Sequence, residues 1–123
     1  MKLKSLGKKV TTFEGFDTFP KPLSVSEVVC TSDEVTAVCP VTGQPDWYTV
    51  RIIYKPNKKC LESKSLKLYL QSFRNQGHFC EDLSHIIARD LTEALQPYTL
   101  EVRVIQKPRG GVAIESVANI FGS

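Results

Sequence analysis

Trp47-Tyr48-Thr49-Val50-Arg51-Ile52-Ile53-Tyr54 is the stretch on which the fold turns. It is rich in β-branched and aromatic residues, and it alternates. Trp47, Thr49, Arg51 and Ile53 fall on one side, and Tyr48, Val50, Ile52 and Tyr54 on the other. One side is more apolar, which predicts a strand with a single face on a core. Such a strand needs antiparallel neighbours at its edges and apolar cover over its inner face.

Both lie close by in the chain. Upstream, residues 25–38 carry Val25, Val28, Val29, Val35 and Val38, strand material with a turn or bulge at residues 31–34. Downstream, residues 55–59 read as a turn. Residues 62–75 then place Leu66, Tyr69, Leu70 and Phe73 at helical spacing. Gln76-Gly77 breaks that helix. A second runs from about Phe79 to Leu95, with Leu83, Ile86, Ile87, Leu91, Ala94 and Leu95 as its buried stripe, and Pro97 stops it. Residues 100–105 and 112–118 form an antiparallel hairpin through Pro108-Arg109-Gly110-Gly111.

The predicted order is β-β-α-α-β-β. This is an α+β fold, a four-stranded antiparallel sheet with two helices on one face. Two open sheet edges invite pairing between copies, so a ring-like homo-oligomer is expected. At 123 residues the chain suits one domain, spanning 1–123. Residues 1–22, broken by Gly7, Gly15, Pro20 and Pro22, read as an arm, with Val10, Phe13, Phe16 and Phe19 able to pin it to a neighbouring surface.

Hydrophobic content is 41%, charged content 24% and net charge +3. That balance suits an anionic small ligand and gives no argument for nucleic acid. Residues 1–9 lack the apolar core of a signal peptide, and no run reaches the ~20 apolar residues of a membrane span, so a cytoplasmic location is expected. Four cysteines (Cys30, Cys39, Cys60, Cys80) should then be reduced thiols. Two histidines and no Cys-x-x-Cys pair give no metal site.

Between the first two strands lies Cys39-Pro40-Val41-Thr42-Gly43-Gln44-Pro45-Asp46, a stiff loop with a thiol and a carboxylate. Such a loop can hold a nucleophile and a proton donor at fixed separation. Taken alone, it is more readily a buried thiol and a turn aspartate. Lys64 and Lys67 sit on one face at the first turns of a helix, where a phosphate would be welcome, though a solvated face explains a lone lysine pair better. Glu81 either complements the dipole of the second helix or accepts hydrogen bonds from a guanine-type edge. No Gly-x-Gly-x-x-Gly, P-loop or serine triad setting is present.

In combination these pieces resemble a known family. Cys39–Asp46, then Glu62-Ser-Lys-Ser-Leu-Lys-Leu-Tyr69, Phe73-Arg-Asn-x-Gly77, Glu81-Asp82 and Pro108-Arg-Gly-Gly111 resemble the short, unimodular 7-cyano-7-deazaguanine reductases of queuosine (tRNA modification) biosynthesis. The resemblance covers roughly residues 6–119. It implies a tunnelling fold assembled into rings, possibly two stacked, with active sites at subunit interfaces. It implies reduction of the nitrile to the aminomethyl product with two NADPH, through a covalent thioimide on Cys39 with Asp46 as proton donor. It implies substrate contacts from Leu61, Glu62, Ser63, Cys80 and Glu81, and cofactor contacts from Lys64, Lys67 and Tyr69. Family members usually carry His immediately before the anchoring Glu, and here that position is Cys80. A reversible Cys39–Cys80 disulfide is a corollary to be tested. Two rival readings share the fold. An archaeosine-forming amidinotransferase-like relative would lack the Glu62–Tyr69 signature, and a non-catalytic purine- or pterin-binding protein would leave Cys39 idle.

Overall fold

The computed structural model describes residues 12–121. Four strands, β2 (Val28–Val38), β3 (Pro45–Lys55), β5 (Thr99–Arg109) and β6 (Val112–Phe121), form one antiparallel sheet in the order β2-β3-β5-β6. Two helices, α1 (Ser63–Gln71) and α2 (Cys80–Leu95), cover one face, as the alternation predicts. A short second sheet pairs β1 (Thr18–Pro20) with β4 (Lys59–Leu61), and neither strand is anticipated by the sequence pattern. Both are three residues long, too short to show a period of two. They bind the arm to the chain just before α1, with Phe19 opposite Cys60. Phe13 and Phe16 do pin the arm, packing edge-on or tilted against Tyr69. Val10 lies outside the described residues.

On β3, Tyr48, Val50, Ile52 and Tyr54 all point into the core, none more than 1% exposed. Leu83, Ile87, Leu91 and Leu95 of α2 meet them with Val102 and Val104 of β5. Each such side chain contributes about 1.5–3 kcal/mol by leaving water. Ile86 and Ala94 only flank this stripe. The first helix is shorter than its periodicity suggests. It ends at Gln71, and residues Ser72–Asn75 continue as a 3-10 turn that still buries Phe73. At the end of α2, Gln96 adopts a left-handed φ of 46°, ahead of the predicted stop at Pro97.

Two bulges set which side chains face the core. In β2, pairing shifts by one residue between Ser32 and Val35, within the predicted irregular stretch. Before it, Cys30 and Ser32 lie opposite the inward Ile52 and Val50; after it, Val35 lies opposite Tyr48 and Ala37 opposite Asp46. Inward parity therefore changes from even to odd numbers, because one extra residue flips every later side chain. A second shift lies between Gln106 and Arg109 in β5, at Pro108, which has no N–H to give to a ladder. Gly110 and Gly111, at φ of 57° and 80°, then close a two-residue turn of the type that requires positive φ twice. Among the described residues, no helix is long and apolar enough to cross a membrane.

Candidate functional site

The two bulges converge on one end of the sheet. Odd parity carries from Val35 and Ala37 to Cys39, turning its side chain toward the helix-covered face. Asp46 stands on that face at the start of β3, two residues before Tyr48. The loop between them is tightly made. The Cys39 N–H donates to the Gln44 carbonyl at 2.8 Å, and the Gly43 N–H donates to the Cys39 carbonyl at 2.9 Å. Gly43 takes a φ of 71°, a conformation side chains disfavour. The following turn and α2 are docked beside the thiol. Val38 donates to the Gln76 carbonyl, and His78 donates back to the Val38 carbonyl. This brings Cys80 and Glu81, the first two residues of α2, to the same end of the sheet.

Cys39 is 7% exposed, and its thiol is lowered from 9.0 to about 7. The main cause is the Thr42 hydroxyl, which donates to the sulfur; the N–H groups of Thr42 and Val41 add to it, burial opposes them, and the Arg109 guanidinium contributes less than burial takes away. Hydrogen bonds to the thiolate favour the charged form. Cys80 is the opposite case. Its thiol donates to the Val104 carbonyl at 3.3 Å, and burial, then the charge of Glu81, pushes it up. All four cysteines are free, and Cys80 Sγ is engaged with the Val104 carbonyl of β5.

Arg109 is the residue that sequence reasoning missed. Its Nε lies 3.0 Å from Asp46 Oδ1, and its Nη2 lies 3.7 Å from Cys39 Sγ. One guanidinium therefore fills the gap between thiol and carboxyl. Strict alternation from the inward Val102 and Val104 would place residue 109 on the opposite face; the bulge at Pro108 reverses that. The only sequence signal was the turn motif itself. The ion pair is close but not aligned as a hydrogen bond, so Asp46 Oδ1, although buried, has no hydrogen-bond partner among the described residues. Tyr48 Oη, on the same strand face, is likewise unpartnered.

The other predicted residues separate into groups. Glu62 caps α1: its carboxylate accepts from the N–H of Lys64 and of Ser65, each at 2.8 Å. The first-turn N–H groups expected to be free for a phosphate are thus taken by the chain's own side chain. Leu61 is buried in β4, its N–H donating to the Tyr54 hydroxyl. Ser63 and Lys67 line a cavity of about 520 Å³ between α1 and the bulge of β2, together with Thr31, Ser32 and Glu34. Lys64 and Tyr69 do not line it. Tyr69 is 4% exposed, its ring among Phe13, Phe16 and Phe73, its hydroxyl donating to Asp90 at 2.6 Å. The resemblance groups Tyr69 with Lys67, but the two are two positions apart, and on a helix such residues face different ways. No cluster able to hold a metal ion is found among the described residues.

Comparison with known proteins adds to this geometry. Residues 45–121 match the family model described as QueF-like protein. Over 86 residues the chain is 52% identical to an NADPH-dependent 7-cyano-7-deazaguanine reductase of Streptococcus mutans serotype c, covering 70% of this chain and 53% of that protein. It is 54% identical to the protein of the same name from Staphylococcus aureus strain JH9, covering 70% of this chain and 52% of the other. The chain thus matches about half the length of these curated relatives. Among solved structures, the crystal structure of the archaeosine synthase QueF-Like in the apo form superposes with a TM-score of 0.76 at 26% identity, covering 81% of this chain and 98% of that one. The β-β-α-α-β-β arrangement is a tunnelling fold.

Proposed function

The chain belongs to the QueF-like protein family, and from that premise we propose that it reduces the nitrile of 7-cyano-7-deazaguanine to an aminomethyl group with NADPH. The observation that carries the reading is Cys39: a thiol lowered to about 7, on a rigid loop, one guanidinium away from a buried carboxyl. A thiolate is a soft nucleophile and a nitrile carbon is electrophilic. The Cys39 sulfur supplies an electron pair to form the S–C bond. The Cys39 S–H proton passes to the Asp46 carboxylate as Arg109 leaves it, one π pair of the C≡N bond moves to nitrogen, and Asp46 delivers that proton to the nitrogen. The product is a thioimide bound to Cys39. Because Arg109 lies between sulfur and carboxyl, it has to swing aside as the nitrile enters; its side chain is 43% exposed and free to do so.

Glu81, at the start of α2, is the group to anchor the deazaguanine edge, beside Cys80. NADPH would supply one hydride per molecule bound, two in all, and the C–S bond breaks with its electron pair returning to the Cys39 sulfur. The cavity at α1 suits one of its phosphates through the Lys67 ammonium and the Ser63 hydroxyl. Glu62 supports that cavity indirectly by fixing the first turn of α1. Within the chain β2 and β6 are the edges of the main sheet, so edge-to-edge pairing of copies into a ring is part of the same proposal.

Purified protein, 7-cyano-7-deazaguanine and NADPH test this, with cofactor oxidation followed by absorbance and Cys39 by intact mass. Two NADPH consumed per nitrile is the expected result, and Cys39→Ala should lose both turnover and adduct. The likeness to an archaeosine synthase favours one second reading, an amidinotransferase-like use of the same thioimide. Adduct on Cys39 with no NADPH consumed would select it. Turnover surviving in Cys39→Ala would overturn the thioimide route.

A further inference from the structure

Among the described residues, the mechanism above leaves one buried hydroxyl on the strand face of Asp46 unused. Tyr48 is fully buried, yet its hydroxyl has no hydrogen-bond partner among the described residues. Buried hydroxyls without partners are uncommon and costly, and they recur where a ligand completes the set. This one is not in a random place. It stands on the inner face of β3 two residues from Asp46, whose Oδ1 is the second buried oxygen of that face without a hydrogen bond, held only by the ion pair to Arg109. Charges at Asp46, Cys80 and Cys39 are felt at the phenol, in that order after burial itself, and together they push its titration up, so it keeps its proton. Cys80 is too short to compete for the position and spends its S–H on the Val104 carbonyl. Arg109, which fills the space between Cys39 and Asp46, is the removable piece: it follows a bulge and precedes two positive-φ glycines.

We propose that the Tyr48 hydroxyl is a further catalytic residue, the donor that meets the nitrile nitrogen alongside Asp46 once Arg109 has moved out. The inference rests on the reductase reading. Arg109 already touches both Cys39 and Asp46, and Tyr48 follows Asp46 on the same face of β3 with its phenol within electrostatic reach of both. With the guanidinium gone, the three groups offer the nitrile a nucleophile and two polar oxygens. As sulfur bonds to carbon and a π pair moves to nitrogen, the Asp46 proton is transferred. The phenol hydrogen-bonds that nitrogen and retains its own proton. A hydroxyl suits the task because it both donates and accepts, and the nitrogen passes from lone pair to N–H. A preformed donor aimed at developing charge in a dry site acts mainly on the rate.

Tyr48→Phe removes only the oxygen. Its expected signature is a rate of Cys39 adduct formation lowered by about 100-fold, with a melting temperature equal to or above that of the parent chain, because no hydrogen bond is lost. The resonance of an isotope-labelled nitrile nitrogen in the adduct should also shift between the two proteins, which a merely structural tyrosine would not cause. Thr92 carries another buried unpartnered hydroxyl, on α2, and Thr92→Val is the control that should leave the rate unchanged. Three results would overturn the proposal: an unchanged adduct rate in Tyr48→Phe, a large fall in melting temperature accompanying a slower rate, or an unmoved nitrogen resonance. In each the parent chain still forms its adduct and consumes NADPH, so the reductase reading stands. Absence of any adduct in the parent chain would remove both.

Discussion

Thr42→Val tests how the site activates its thiol. The Thr42 hydroxyl is the largest of the influences that bring Cys39 from 9.0 to about 7. A group titrating at 9.0 is about 1% ionised at pH 7, and one titrating at about 7 is about half ionised, a gain of about fifty-fold in the reactive form. Valine keeps the shape of threonine and removes the donor. The backbone N–H groups of Val41 and Thr42 and the Arg109 guanidinium remain, so the loss is partial: the thiolate fraction at pH 7 should fall about fivefold. The sign follows from the charge. A donor to the thiolate lowers the titration point, so its removal moves the reactivity curve to higher pH. Iodoacetamide labelling of Cys39, followed by peptide mass across pH 5 to 10 (roughly the span in which thiols titrate), reads this directly. Parent and variant should converge at high pH, where both are ionised. Burial holds Cys30 and Cys80 up, which keeps them from competing near neutrality. A labelling curve identical to that of the parent would refute the hydroxyl's role. Lower reactivity at every pH, including the highest, would show a change of access and not of ionisation.

Three further substitutions, at Glu62 and Tyr69, separate structural from functional roles at α1 and its cap. Glu62→Ala removes the acceptor for two N–H groups of the first turn and should cost about 1.5–3 kcal/mol, read as a lower denaturant midpoint. Glu62→Gln, which keeps one acceptor oxygen, should recover part of that loss. Tyr69→Phe removes the 2.6 Å bond to Asp90 and should destabilise by about 1 kcal/mol while leaving the NADPH requirement unchanged, because the ring lies in the core away from Lys67. A raised KM for NADPH with unchanged stability would return Tyr69 to the cofactor site.

Much of the architecture could be read in the chain because its signals are local. Alternation in residues 47–54 identified the central strand, and its even-numbered side chains are the buried ones. Helical spacing found the buried stripe of α2 through Leu83, Ile87, Leu91 and Leu95. The paired glycines at 110 and 111 marked the last hairpin. The thiol and carboxyl of the 39–46 loop were also visible, since a rigid turn with two reactive groups is a sequence pattern.

What the sequence could not decide was direction. A strand pattern has a period of two, and a single inserted residue reverses it for everything that follows. The bulge after Ser32 turns Cys39 toward the helix-covered face, and the bulge at Pro108 brings Arg109 onto Asp46 and Cys39. Each depends on pairing with a partner strand, which local residue order does not contain. Glu62 and Tyr69 received their expected roles from the family resemblance, and the contacts that only the tertiary structure shows are a helix cap for Glu62 and a bond to Asp90 for Tyr69. Residue types supplied the chemistry. Strand register placed one guanidinium between the thiol and the carboxyl, because only pairing across the sheet fixes which side chains share a face.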